Sequence, residues 1–379
     1  MKFLHTSDWH LGRQLHNQSL LDDQAHVLDQ IIESAIEHKV DAVISAGDVY
    51  DRSVPPVAAV ALLNSVLDRL VYEANIPVLM IAGNHDGRER LGFGASQMAS
   101  SGLHIEGPLH TQISPIIIDG VAFFLLPYAE PVLVRNVFGD AAKKVSTHQQ
   151  AMEFLLEQLN KIDLNGKPKV IVAHCFLAGG LESDSERPLS LGGADQISPS
   201  VFNEFTYTAL GHLHGPQKKG GEHIRYSGSI LKYSFSEVRQ NKSVTLVEID
   251  DQGGVQTELV TLKALRNLRV LEGNIDELLE QGAKDPHADD YLMVRLLDKT
   301  AILDAMGKLR TVYPNVLHLE RTGLMAQRQQ LQLNREHLKQ SELSMFKSFF
   351  KQVTGDELSD VQNQAVSSVI SSLYTGDES

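Results

Sequence analysis

Short apolar runs closed by Gly, Pro, Asn or Asp alternate with longer stretches of helical spacing through the first half of the chain. Lys2–His5, Asp41–Ala46, Pro77–Ala82, Ile116–Ile118, Ala122–Leu126, Lys169–Ala173 and Tyr207–Leu210 read as strands. Between them, Leu21–Lys39, Val57–Glu73 and Gln149–Ile162 repeat apolar residues as amphipathic helices do. The alternation predicts an α/β fold of two packed β-sheets flanked by helices. From Ile224 to Val260 the signal becomes one strand after another, with a turn at Asp250–Gly254, so a first domain is expected over 1–265.

Beyond it, Arg269–Glu272, Asp276–Gln281, Tyr291–Leu297, Ile302–Tyr313 and Val316–Glu320 read as strand, helix, strand, helix, strand. That is enough for a small α/β domain over 266–325. Residues 326–379 begin with a stretch rich in Gln, Arg, Lys and Glu up to Glu342, expected to be a solvated helix or linker. Phe346, Phe349, Phe350 and Val353 then fall on one helical face, and Leu358, Val361, Ala365, Val366, Val369, Ile370 and Leu373 repeat the pattern. Such faces either pack within the chain or lie in the groove of a partner.

With 42% hydrophobic and 22% charged residues, the composition is that of a soluble globular protein. The longest apolar neighbourhood, Pro115 to Tyr128, is broken by Asp119 and Gly120, and Asp8 arrives before any signal-like run, so neither membrane insertion nor export is expected. A single cysteine, Cys175, excludes an intrachain disulfide and a cysteine-rich zinc site, which suits a reducing cytoplasm. The formal charge of −14 opposes unaided adhesion to a polyanion. Bound divalent cations would reverse the sign locally, and basic residues gather at Lys218, Lys219, Arg225, Lys232, Arg239 and Lys242.

Five polar motifs follow predicted strands in order: Asp8-Trp9-His10, Gly47-Asp48-Val49-Tyr50-Asp51, Gly83-Asn84-His85-Asp86, His174, and Gly211-His212-Leu213-His214. Each alone has an ordinary explanation. Asp8 and His10 suit a turn, Asp48 a helix cap, and His174 a satisfied core histidine. Strand ends along one edge of a packed sheet bring distant loops together, however, and Asp, Asn and His then supply the oxygen and nitrogen donors that two divalent ions need.

The set resembles the signature of the calcineurin-like metallophosphoesterases. The opening His5–Gly12, the stretch Asp184–Leu189, and Tyr226–Ser229 followed by Tyr233–Glu237 look like the SbcD-type nuclease subunits of that family. The resemblance implies that Asp8, His10 and His214 hold one metal, that Asn84, His174 and His212 hold a second, and that Asp48 bridges them. It assigns His85 to general acid catalysis, with Asp51 as its orienting partner. It implies phosphodiester hydrolysis with two divalent ions, Mn2+ fitting best, on DNA as duplex exonuclease and single-strand endonuclease. It also implies an SbcC-type ATPase docked on the terminal helices, a pairing of nuclease subunits as a homodimer, and a role in recombination, replication and repair. Below about pH 6, near the unperturbed imidazole pKa, protons are expected to compete with metal. A small-molecule or nucleotide phosphoesterase on the same metal core is the competing enzyme, and a scaffold that has kept only the fold is the competing non-enzyme.

Overall fold

The computed structural model describes residues 1–187, 189, 195–323 and 342–375. Most of the polar stretch expected up to Glu342, and Pro188 of the Asp184–Leu189 motif, lie outside them. The chain divides into one unit of Met1–Val270 with Asp289–Met293, and a second of Leu271–Ala288 with Val294–Ser379. Among the described residues, no helix is long and apolar enough to cross a membrane.

Two six-stranded sheets form the first unit. In one, the order is Val255–Thr261, Ser243–Ile249, Lys2–Thr6, Ala42–Ser45, Val78–Ile81, Leu103–Glu106, with the last four strands mutually parallel and the first two joined antiparallel. In the other, it is Gln217–Lys218, Ile224–Tyr226, Tyr207–Gly211, Lys169–His174, Val121–Leu126, Ile116–Ile118, with a parallel centre and antiparallel edges. Alternation along the strands sends Phe3, Ile44, Leu79 and Ile81 of the first sheet and Phe123, Val170, Val172 and Tyr207 of the second into one buried layer. The opposite face of the second sheet, with Phe124, Ile171 and Leu210, shares a core with Ala151, Met152, Leu155 and Leu159 of the helix His148–Asn160. That helix starts where Thr147 accepts the Gln150 N–H.

Helix Leu21–Glu37 buries Val27, Leu28, Ile31, Ile32 and Ala35 on one stripe, as its spacing predicts. The stretch Val57–Glu73 is α-helical only to Leu67 and closes with a wider π turn over Asp68–Glu73. Pro131–Phe138 is a further helix that the apolar pattern does not announce, because it is only eight residues long; Pro131 at its first position suits a missing N–H.

Between the sheets sits a polar bridge. His5, on Lys2–Thr6, is fully buried, with Nδ1 3.0 Å from the Tyr207 hydroxyl and Nε2 3.1 Å from the Leu210 carbonyl of the facing sheet. A carbonyl only accepts, so Nε2 carries the hydrogen and Nδ1 accepts from Tyr207. Burial pushes the His5 pKa down to about 3. Between that value and the ordinary 6.5 the unfolded chain binds the proton and the folded chain does not, so stability present above pH 6.5 is lost as pH falls. The thermal midpoint of metal-free protein should therefore drop from pH 6.5 towards pH 4, with His5 contributing about 1.4 kcal/mol per pH unit. A His5→Gln chain should show a shallower slope; parallel profiles would remove His5 as a cause.

The second unit carries the end of a three-stranded sheet ordered Leu268–Gly273, Tyr291–Leu296, Val316–Glu320. Helix Ile275–Gly282 begins with a reciprocal Asn274–Glu277 capping box, and Ala305–Arg310 with Asp304 accepting from the Gly307 N–H. Helices Glu342–Thr354 and Asp360–Thr375 complete it. Among the described residues of their apolar faces, Phe346, Phe349, Val353, Val361 and Val369 are exposed, and Phe350, Leu358, Val366 and Ile370 are half-buried.

Candidate metal centre

Parallel strands of both sheets deliver their carboxyl ends to one place. Asp8 and His10 follow Lys2–Thr6, Asp48 follows Ala42–Ser45, and Asn84 and His85 follow Val78–Ile81. From the second sheet, His174 ends Lys169–His174, and His212 and His214 follow Tyr207–Gly211. The first two loops are zipped by main-chain bonds from the Asp8, His10 and Leu11 N–H groups to the carbonyls of Gly47, Asp48 and Val49.

Packing the loops this tightly needs unusual backbone. Asp8, His10, Asp48 and His212 have φ of 52°, 47°, 50° and 112°, a region that side chains rarely adopt. Each costs on the order of 1 kcal/mol or more, and such strain gathers where function over-determines the geometry. Gly83 has no such φ but no room either: a Cβ there would overlap Asp48 Oδ1 and its main-chain N.

Ligand-type atoms converge within 4.8 Å of one another in three groups: Asp8, His10 and His214; Asp8, Asp48 and His174; and His10, Asp51 and His85. Asp48 Oδ2 lies 3.6 Å from His10 Nε2 and 3.5 Å from His174 Nε2, between the two sets of histidines. Asn84 Oδ1 is 2.9 Å from His174 Nε2. His212 is outside these groups; its ring centre is 5.4 Å from that of His174, and its main-chain N–H donates to both Asp8 oxygens at 3.0 and 3.1 Å.

The donors fit a cation on their own chemistry. His174 Nδ1 must donate to the Ala46 carbonyl at 2.9 Å, which leaves Nε2 as a lone pair facing the Asn84 and Asp48 oxygens, all three acceptors. The Nε2 atoms of His10 and His214 face each other at 3.1 Å. Burial, with a lesser contribution from the Asp48 charge, pushes the Asp8 carboxyl far above the ordinary range, and burial holds His10, His174 and His212 below theirs. Neutral imidazoles beside crowded carboxylates are what a divalent ion requires and would relieve.

His85 and Asn84 are only half-buried, as is Asp51, whereas Asp8, His10, His174, His212 and His214 are inaccessible, so His85 stands on the open side. Its Nδ1 is 2.8 Å from the Asp51 main-chain carbonyl and so donates to it. It is therefore the Asp51 carbonyl that orients His85, while the Asp51 carboxylate faces Arg13 at 3.3 Å and His10 Nδ1 at 3.7 Å.

Several residues that support the site carry no sequence signal of that role. Asp86 accepts the N–H groups of Gly83, Val49 and Tyr50 and so ties two motif loops together; burial and the Asp48 charge push it up to about 7. Gln24 donates to the Trp9 and His10 carbonyls from helix Leu21–Glu37. Lys242 belongs to no exposed basic face: it is buried, and its ammonium pairs with Glu237 at 2.6 Å. Lys218 pairs with Glu222. Trp9 and Cys175 are both buried, and Trp9 donates to the Thr6 hydroxyl.

Residues 1–216 match the calcineurin-like phosphoesterase family, and residues 264–354 match the SbcD_C family, described as the type 5 capsule protein repressor C-terminal domain. The SbcD component of the SbcCD nuclease of Staphylococcus epidermidis is 37% identical over 371 residues, and that of Staphylococcus saprophyticus 36% over 373, each alignment covering 98% of both chains. Among solved structures, a dimetal phosphatase from Danio rerio aligns at 12% identity and a TM-score of 0.40, over 69% of this chain and 99% of its own, a likeness too weak to carry an argument. On the family match to residues 1–216 and the full-length relatives, the chain belongs to the calcineurin-like phosphoesterases, in the branch of the SbcD nuclease subunits.

Proposed function

We propose that the chain is a Mn2+-dependent DNA nuclease that hydrolyses phosphodiesters with two metal ions, as duplex exonuclease and single-strand endonuclease, together with an SbcC-type ATPase. The observation that carries the reading is the meeting of Asp8, His10, Asp48, Asn84, His174, His212 and His214 from two sheets, with half-buried His85 beside them. Asp8, His10 and His214 would hold one ion, Asn84, His174 and His212 the other, and Asp48 both. Such ions supply Lewis acidity and charge neutralisation at a scissile phosphate.

The remaining work falls to the chain's own groups. His85, held through Nδ1 by the Asp51 carbonyl, offers Nε2 to protonate the leaving oxygen. Arg13, fixed by Asp51 and by the Ser185 carbonyl at 2.9 Å, sets a guanidinium beside the site. It suits the backbone of an anionic substrate. Phe346, Phe349 and Val353, exposed on Glu342–Thr354, suit a helix laid into a partner's groove. The full-length likeness to proteins named as components of SbcCD supports that partner, and the reading extends to DNA recombination, replication and repair in the cytoplasm.

The test offers chelator-stripped protein linear duplex DNA, circular single strands and a chromogenic phosphodiester, with and without the ATPase. Mn2+ should restore cleavage and Mg2+ should do so at least about tenfold less well, because imidazole nitrogen suits Mn2+ while Mg2+ prefers oxygen and sheds water reluctantly. Acid should weaken metal binding, but below the pH 6 expected from free imidazole, since burial lowers His10, His174 and His212. Turnover of the chromogenic ester without any cutting of DNA would count against the nuclease; equal support by the two metals would redraw the ligand set.

A further inference from the structure

Two stretches singled out in the sequence, Asp184–Leu189 and Tyr233–Glu237, contribute no metal donor, yet they meet behind His214. Ser185 Oγ is 2.5 Å from His214 Nδ1 and 2.5 Å from Glu237 Oε1, and all three side chains are buried. A carboxylate only accepts, so the Ser185 hydroxyl donates to Glu237, and its oxygen must then accept from His214 Nδ1–H. Glu237 is fixed as the carboxylate end of the chain by Lys242 Nζ at 2.6 Å, which is itself bonded to the His214 carbonyl and the Ser229 hydroxyl at 2.8 Å each. Separately, Glu186 accepts the His214 main-chain N–H at 2.8 Å. The direct gap from His214 Nδ1 to Glu237 Oε1 is 3.9 Å, beyond a hydrogen bond, so the hydroxyl is a required relay.

We propose that Ser185 and Glu237 are positioning residues for His214, a lysine-anchored carboxylate acting through a serine to fix the tautomer whose Nε2 lone pair faces the metal centre. Without the relay, His214 can adopt the other neutral tautomer, with Nδ1 unprotonated and the proton on Nε2, and present a donor where a ligand is needed. The inference rests on the two-ion reading above and goes beyond it: it assigns the control of one ion, not the other, to a segment that touches neither.

The experiment measures Mn2+ binding to the full chain by chelator competition, with stoichiometry and thermal midpoint recorded in parallel. Ser185→Ala, which leaves the Glu237–Lys242 pair intact, should weaken one of the two ions by about 10–100-fold and leave the other near wild type. Ser185→Thr, which keeps the hydroxyl, should restore the weaker ion to within about threefold. Unchanged affinity in Ser185→Ala, joint loss of both ions with a lowered thermal midpoint, or a folded Ser185→Thr chain that fails to restore binding would overturn the relay. A wild-type chain that binds fewer than two ions would instead sink the metal-centre reading itself, so the two failures are distinguishable.

Discussion

Asp48→Asn should bind neither ion tightly and lose at least about three orders of magnitude in cleavage, yet its metal-free form should melt no lower than metal-free wild type. The first half follows from position. Asp48 Oδ2 lies within 3.6 Å of both His10 Nε2 and His174 Nε2, so its charge serves both sets of donors. Removing it withdraws several kcal/mol of transition-state stabilisation, and about 4 kcal/mol is a thousandfold. The second half follows from electrostatics. Burial raises Asp8 and Asp86, and the Asp48 charge raises both further. A carboxyl whose pKa is raised by folding costs stability at pH values above its unfolded pKa, because the folded chain then resists an ionisation that the unfolded chain completes. Neutralising Asp48 reduces that cost, while Asn Oδ1 can still accept the His85 N–H that Asp48 Oδ1 accepts at 2.8 Å. Wild type should overtake the variant only when Mn2+ is added. Metal content by emission spectroscopy and paired thermal scans decide. A variant that keeps both ions, or one that is destabilised without metal, would show that Asp48 is mainly a structural carboxylate.

His85→Ala should keep both ions and lose about 10²–10⁴-fold in DNA cleavage. The alanine main chain still donates to Asp48, so the loop has no reason to open. What disappears is the ring oriented by the Asp51 carbonyl. The leaving group provides the control. A nitrophenolate leaves without help from a proton, so the chromogenic diester should lose about tenfold or less where DNA loses far more. His85 also shares a 4.8 Å neighbourhood with His10 and Asp51. Loss of one ion from the variant would therefore convert His85 from proton donor to ligand.

The sequence makes the site legible because its chemistry sits where strands stop. Each motif follows an apolar run, and strand ends in a parallel sheet share an edge, so Asp8, Asp48, Asn84, His174 and His214 can be gathered without coordinates. What stays hidden depends on contacts between distant residues. Nothing in the string marks Asp8, His10, Asp48 and His212 as left-handed, since the strain is imposed by loops packed against one another. Ser185 and Glu237, 52 residues apart, give no pattern that links them to His214. Lys242 reads as part of a basic cluster because charge along a sequence does not reveal burial. Asp51 does lie near His85, but its main-chain carbonyl, which any residue could supply, does the orienting.

The first strand has a history built into its register. Lys2–Thr6 pairs on one side with Ala42–Ser45 and on the other with Ser243–Ile249. During synthesis the second side stays open until residue 249 has left the ribosome, on the order of ten seconds or more at ordinary elongation rates. Through that interval a strand bearing Phe3 and Leu4 presents a bare edge, a template for pairing with a neighbouring nascent chain. Asp8 and His10 likewise wait for His212 and His214. The ribosome therefore completes the set of donors only late, when His214 emerges, and a nascent chain interrupted before that point is an aggregation hazard with no enzyme to show for it.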